Sequence, residues 1–103
     1  MNRNRSTVLL KNQLLPLVLA RFPGFAPVWE KHRRVWKFKD AGLCNDMAQF
    51  AKYVSELIRT GAIAELRPVA STLEEILADC DSDVRYAVTV GFLEDLTTLV
   101  GRL

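Results

Sequence analysis

Apolar residues recur along this chain at helical spacing, and nowhere do they keep the two-residue alternation of a half-buried strand. No Asn-Gly or Asp-Gly pair marks a hairpin. The first helix is predicted to start near Ser6 and to carry Leu9, Leu10, Leu14 and Leu15, with Pro16 kinking it or opening a short turn through Arg21. "FPGFAP" (22–27) breaks the chain, and Pro27 suits the first turn of a second helix. There Phe25, Trp29, His32 and Trp36 share one side, while Lys31, Arg34 and Lys37 point elsewhere. After the loop "KDAGLCND", Asn45 or Asp46 is expected to cap a third helix. It buries Met47, Phe50, Ala51, Val54, Leu57 and Ile58 and stops with Gly61 at C′. A fourth helix repeats the spacing with Leu66, Val69, Ala70, Leu73, Ile76 and Leu77, and Pro68 falls in its first turn. Asp81 or Ser82 caps the last helix, whose inward stripe is Val84, Val88, Phe92, Leu96 and Leu99. The pattern predicts an all-α fold: one domain, residues 1–103, a bundle of about five helices. Its core should hold Leu66, Leu73, Ile76, Val88, Phe92 and Leu96.

Two residues of the last helix resist this simple reading. Gly91 stands mid-helix, at a cost of about 1 kcal/mol against alanine. That cost is explained if another helix crosses close by. Asp95, projected at about 100° per residue, falls between Val84 and Val88 inside the buried arc. A carboxylate there needs a donor. Residues 29–36 offer arginines, His32 and two indoles, so the basic first half is expected to dock on the last helix.

Charge divides the chain more sharply than its net +2 suggests. Residues 1–39 carry nine Lys/Arg and one acid; residues 40–103 carry five Lys/Arg and eleven acids. Cys44 and Cys80 make neither a metal spacing nor a disulfide framework, and read as small buried hydrophobes of a reducing compartment. The basic start turns apolar, but Lys11, Asn12 and Gln13 interrupt the run and Arg21 follows Ala20, which does not make a secretory signal. No run approaches the roughly 18 apolar residues of a membrane span. The expectation is a cytoplasmic protein with no membrane partner and no cofactor.

Catalytic patterns are missing. His32, the single histidine, sits between Trp29 and Trp36 and reads as a core histidine with a hydrogen-bond partner. Neither a nucleophile elbow nor a glycine-rich phosphate loop occurs. Asp79, Asp81 and Asp83 imitate the start of a calcium loop, but Val84 and Val90 stand where its glycine and glutamate belong. The run "KHRRVWKFK" (31–39) mixes charge with aromatics, as nucleic-acid binders do. Both tryptophans fall on the apolar face, which predicts burial rather than base stacking and leaves a solvated basic rim.

The phrases "FPGFAPVWEKHRRVW", "NDMAQFAKYVSELIRTG" and "STLEEILADCDSDVRYAVTVGFLEDL" resemble a family of small helical bacterial proteins. Several of its relatives look like immunity proteins, which neutralise contact-dependent or polymorphic toxins. The resemblance runs from Pro23 to Leu96, and its matching positions are Asp83, Val84, Arg85, Gly91, Phe92, Leu93 and Glu94. "DSDVRYAV" also resembles the start of the second helix in a HEAT-type hairpin, which suits a protein-binding adaptor. The resemblance implies a non-enzyme that binds a cognate toxin domain, such as a nuclease with a basic cleft. An acidic edge of Glu74, Glu75, Asp79, Asp81 and Asp83 would steer onto such a cleft. The alternative is nucleic-acid binding through Lys31, Arg33, Arg34, Lys37 and Lys39.

Overall fold

A computed structural model describes residues 8–102 as an all-α bundle. Its elements are α1 (Lys11–Arg21), a 3₁₀ turn (Pro23–Phe25), α2 (Ala26–Val35), α3 (Leu43–Arg59) and α4 (Ile63–Ala78). Then come α5 (Ser82–Tyr86), a π-helical segment (Ala87–Glu94) and α6 (Asp95–Val100). The backbone stays helical across both junctions, so residues 82–100 form one long rod. Ser6, the expected start of the first helix, lies outside the described residues. Leu9 and Leu10 are not helical. Leu9 donates its amide to the Asp79 carbonyl and accepts from the Asp81 amide, both at 3.0 Å, bridging the α4–α5 turn. The helix therefore starts at Lys11, where Gln13 Oε1 takes the Leu10 amide at 2.8 Å. Pro16 sits inside α1 and does not divide it.

α3 is the axis of the bundle: α2, α4 and all parts of the last rod pack on it. It buries Met47, Phe50, Ala51 and Val54 as its spacing predicts, but Leu57 and Ile58, expected with them, are only half-buried. Phe50 is the hub. Its ring centroid lies 5.2–5.3 Å from those of Phe22, Phe25 and Phe92, with Phe92 stacked. The helix ends as expected, with Gly61 at φ +76. Its amide bonds to Ile58 and that of Ala62 to Leu57, which closes a Schellman turn. The start differs from expectation. The N-cap is Gly42, three residues before Asn45 and four before Asp46, in a turn where Asp40 takes the Gly42 amide at 2.9 Å.

In α4 the buried residues are Val69, Thr72 and Ile76; Ala70 is exposed, and Leu66, Leu73 and Leu77 are half-buried. Pro68 lies inside this helix rather than in its first turn, because α4 begins at Ile63, directly after the Schellman turn. Asp81 caps α5 as expected, its Oδ1 accepting the Val84 amide at 2.8 Å.

The last rod explains both of its oddities, one as expected and one not. A methyl group on Gly91 would come within 2.8 Å of Cys44 Cα and of its carbonyl oxygen. Glycine is required here because the first turn of α3 crosses at backbone distance. Asp95 fails the expectation: it is half-buried, and no hydrogen bond or ion pair from residues 29–36 reaches it. The reason is the π segment. Val84, Val88, Phe92 and Leu96 repeat every four residues, and in an α-helix such a stripe drifts by about 40° per step. Wider π turns absorb the drift and keep Val84, Val88 and Phe92 fully buried. They also rotate everything after them away from the uniform projection. Leu96 and Leu99 end half-buried. Moreover, α2 packs on α3 rather than against the rod, so its donors are elsewhere.

This packing ranks three substitutions. Phe92→Ala should cost about 3–5 kcal/mol, a large fraction of a small domain's stability. Gly91→Ala should cost about 1–3 kcal/mol by overpacking, even though alanine is the better helix former. Asp95→Ala should stay within about 0.5 kcal/mol. Urea titration of the three variants checks the order; an Asp95→Ala loss matching that of Phe92→Ala would reject this packing.

Candidate functional site

Where α1, α2, the start of α3 and α5 meet, the surface opens into a cleft of about 810 Å³, within the size range of ligand sites. One wall is Leu15, Pro16 and Leu19 of α1 with Trp29 and Arg33 of α2. The other is Leu43 and Cys44 with Tyr86 of α5, which is 59% exposed. Asp40, Asp46 and Asp83 supply carboxylates, and Lys11 and Arg33 supply cations. The Arg33 guanidinium lies 5.9 Å from the Trp29 ring centre and 5.6 Å from that of Phe38, distances at which cations are held over aromatic faces.

At the cleft's back, Asp46 joins the wall to the core. Its Oδ1 lies 2.9 Å from His32 Nε2, and the histidine is only 7% exposed. His32 is thus a core histidine with a partner, flanked by Trp29 at 5.6 Å and Trp36 at 6.4 Å between ring centroids. Burial raises the Asp46 carboxyl above the ordinary aspartate pKa, against the pull of the His32 hydrogen bond. Among the described residues, no serine hydroxyl or cysteine thiol is bonded to this pair.

The match that decides the family covers residues 15–102, and it is to a domain of unknown function, DUF7674. The chain belongs to that family. No curated protein and no solved structure matches it.

Within this DUF7674 domain, the acidic residues singled out from the sequence do not form one open edge. Glu75 is gripped by both Arg21 nitrogens, at 3.2 and 2.9 Å, and Arg21 holds its carboxyl below the usual glutamate range. Asp81 is spent on the fold: one oxygen caps α5 and the other takes the Lys11 amide at 3.2 Å. Asp79 gives its carbonyl to Leu9. Asp83 lies on the cleft wall, and Glu74 is exposed on α4. The structure thus divides the five between internal pairing and surface, and adds Asp40 and Asp46 beside Asp83. Asp40 was legible as a turn residue two before Gly42, whereas nothing periodic links Asp46 to His32.

The basic set behaves as a rim, with one surprise. Lys31, Arg34, Lys37 and Lys39 are exposed, and Arg33 is half-buried against the rings. Trp29 is half-buried, but Trp36 is 42% exposed, contrary to the burial expected of both tryptophans. Trp36 is the C-cap of α2, its amide still bonded to the His32 carbonyl at 3.1 Å, and it stands at the end of the helix where the chain turns away. The two cysteines are half-buried and unpaired.

The His32–Asp46 pair yields a pH signature. A carboxyl whose pKa is raised on folding favours the folded state most when protonated. That contribution is complete below the ordinary aspartate pKa and is lost as pH rises through the raised one. Asp46→Asn should remove this dependence while keeping an oxygen for His32. Asp46→Ala should cost about 1–3 kcal/mol by orphaning the imidazole. Melting temperatures from pH 3 to pH 7 for the parent and both variants measure this; identical pH profiles for parent and Asp46→Asn would refute it.

Proposed function

We propose that this protein works by binding another protein, as an immunity-type inhibitor of a basic toxin domain encoded beside it, acting in the cytoplasm without turnover of any substrate. The observation that carries the reading is the cleft, in which aromatic walls and three carboxylates lie together. Trp29 and Tyr86 are the residue types that dominate protein interfaces, giving large rigid contact area at little entropic cost. Asp83 beside them suits a partner's arginine or lysine reaching between the rings, and Asp40 and Asp46, held by the Gly42 amide and by His32, line the cleft behind it. The resemblance of residues 23–96 to immunity-type proteins supports the class of partner.

This reading moves the contact from the outer edge of α4 to the cleft. Glu75 already serves Arg21 and Asp81 already caps α5, so neither is disposable for a partner. Asp83 remains on the wall, and exposed Glu74 adds to the field that steers a basic partner inward.

The test is titration against the product of the adjoining gene. The parent should form a one-to-one complex whose association slows with salt. Tyr86→Ala should weaken it by tenfold or more by raising the dissociation rate, the order of a lost interface anchor. Asp83→Lys should act mainly on the association rate. Glu56→Lys, on α3 where Glu56 is tied to Arg59 at 2.7 Å, is the control and should change little. No complex with the parent would refute the reading, and full affinity in both cleft variants would remove the cleft from the interface.

A further inference from the structure

The corner after α2 carries exposed apolar side chains and unpaired cations together. Val35 is 69%, Trp36 42% and Phe38 59% exposed, within four residues of chain. Between residues 31 and 39 stand five Lys/Arg and no acid. None of the four exposed cations, Lys31, Arg34, Lys37 and Lys39, has an ion-pair or hydrogen-bonded partner among the described residues. Basic residues at a helix C-terminus answer the helix dipole, which accounts for some of the charge. It does not account for the apolar exposure.

The backbone here is held in a costly form. Lys37 and Phe38 have φ +52 and +62, in the left-handed region that non-glycine residues avoid. The Lys37 amide bonds to Arg34 at 2.9 Å and the Phe38 amide to Arg33 at 2.7 Å, the pairing of a Schellman turn. Gly61 fills the matching position after α3 without strain, whereas here a lysine does. The turn sends Phe38 back over Arg33 and leaves its ring largely in solvent.

We propose that this corner docks peripherally on an anionic lipid surface, with Val35, Trp36 and Phe38 entering the headgroup region and the lysines and Arg34 meeting its phosphates. Stable membrane attachment takes two signals, an apolar insertion and a basic patch, and the corner supplies both. Tryptophan and phenylalanine favour the interface, and lysine stems can lie along apolar matter with their charges in water. No described helix is long and apolar enough to cross a membrane, and the proposal needs none. A single-stranded nucleic acid would meet the same charge. But Val35, the most exposed of the three, has no face on which a base stacks, and Arg33 occupies one face of Phe38.

Sedimentation with phosphatidylglycerol-rich vesicles at low salt tests this, with pure phosphatidylcholine vesicles as the comparison. The parent should pellet with the anionic vesicles only, and its tryptophan emission should shift to the blue. Trp36→Phe should still pellet but lose the blue shift, since Trp29 stays in the protein. The double variant Val35→Ser, Phe38→Ser should keep its helical spectrum and bind at least tenfold more weakly. Lys37→Gly should raise the melting temperature by relieving the turn, yet lose about fivefold in binding with its charge. Failure of the parent to pellet, equal binding by the serine variant, or tight binding to single-stranded nucleic acid with no blue shift on vesicles would overturn the proposal.

Discussion

The contact on which this structure depends is the crossing of Gly91 over the first turn of α3. A methyl there would strike the Cys44 backbone at 2.8 Å, so the two helices meet at a distance only glycine permits. That approach lets Phe92, one residue on, stack on Phe50 at the centre of the aromatic core. It also seats the first turn of α3 against the rod, which places Leu43 and Cys44 as one wall of the cleft with Asp46 behind them. Asp83 and Tyr86, earlier on the same rod, are held on that side too. Packing and candidate site thus share one cause, and a shift at the crossing would open the core and the cleft together.

Much of the fold was legible, because helix period and turn chemistry act locally. The Gly61 turn, the Asp81 cap and the apolar stripe of α3 follow from spacing alone. Gly91 was legible as a cost that needed a neighbour. What could not be read depends on distant pairing or on departure from the α period. Leu9 leaves the helix because its backbone meets residues 79–81, some seventy positions away. Asp95 misses the core because π turns re-phase the rod ahead of it. The strict four-residue spacing of Val84, Val88, Phe92 and Leu96 was a visible hint of that segment. In the structure the Thr89 hydroxyl donates to the Arg85 carbonyl at 2.8 Å, a back-bonding that bends helices.

The charge asymmetry between the two halves is partly consumed inside the molecule. Arg21 with Glu75 and His32 with Asp46 each join the basic half to the acidic one. The first pair is exposed and contributes little to stability; the second is buried and ties α2 to α3. What the fold leaves over divides between two adjoining surfaces: the cleft, where Asp40, Asp46 and Asp83 stand with Lys11 and Arg33, and the corner after α2, where lysines and Arg34 surround exposed apolar side chains. This division was not legible, because acids that read alike in sequence differ only in what the folded chain brings to them.

The central claim is that the cleft is where a protein partner docks, and hydrogen–deuterium exchange with and without the product of the adjoining gene addresses it most directly. The account predicts slower exchange in residues 40–46 and 83–86, with residues 11–19 following and the exposed face of α4 unchanged. Protection confined to α4, with the cleft segments exchanging as in the unbound protein, would contradict it.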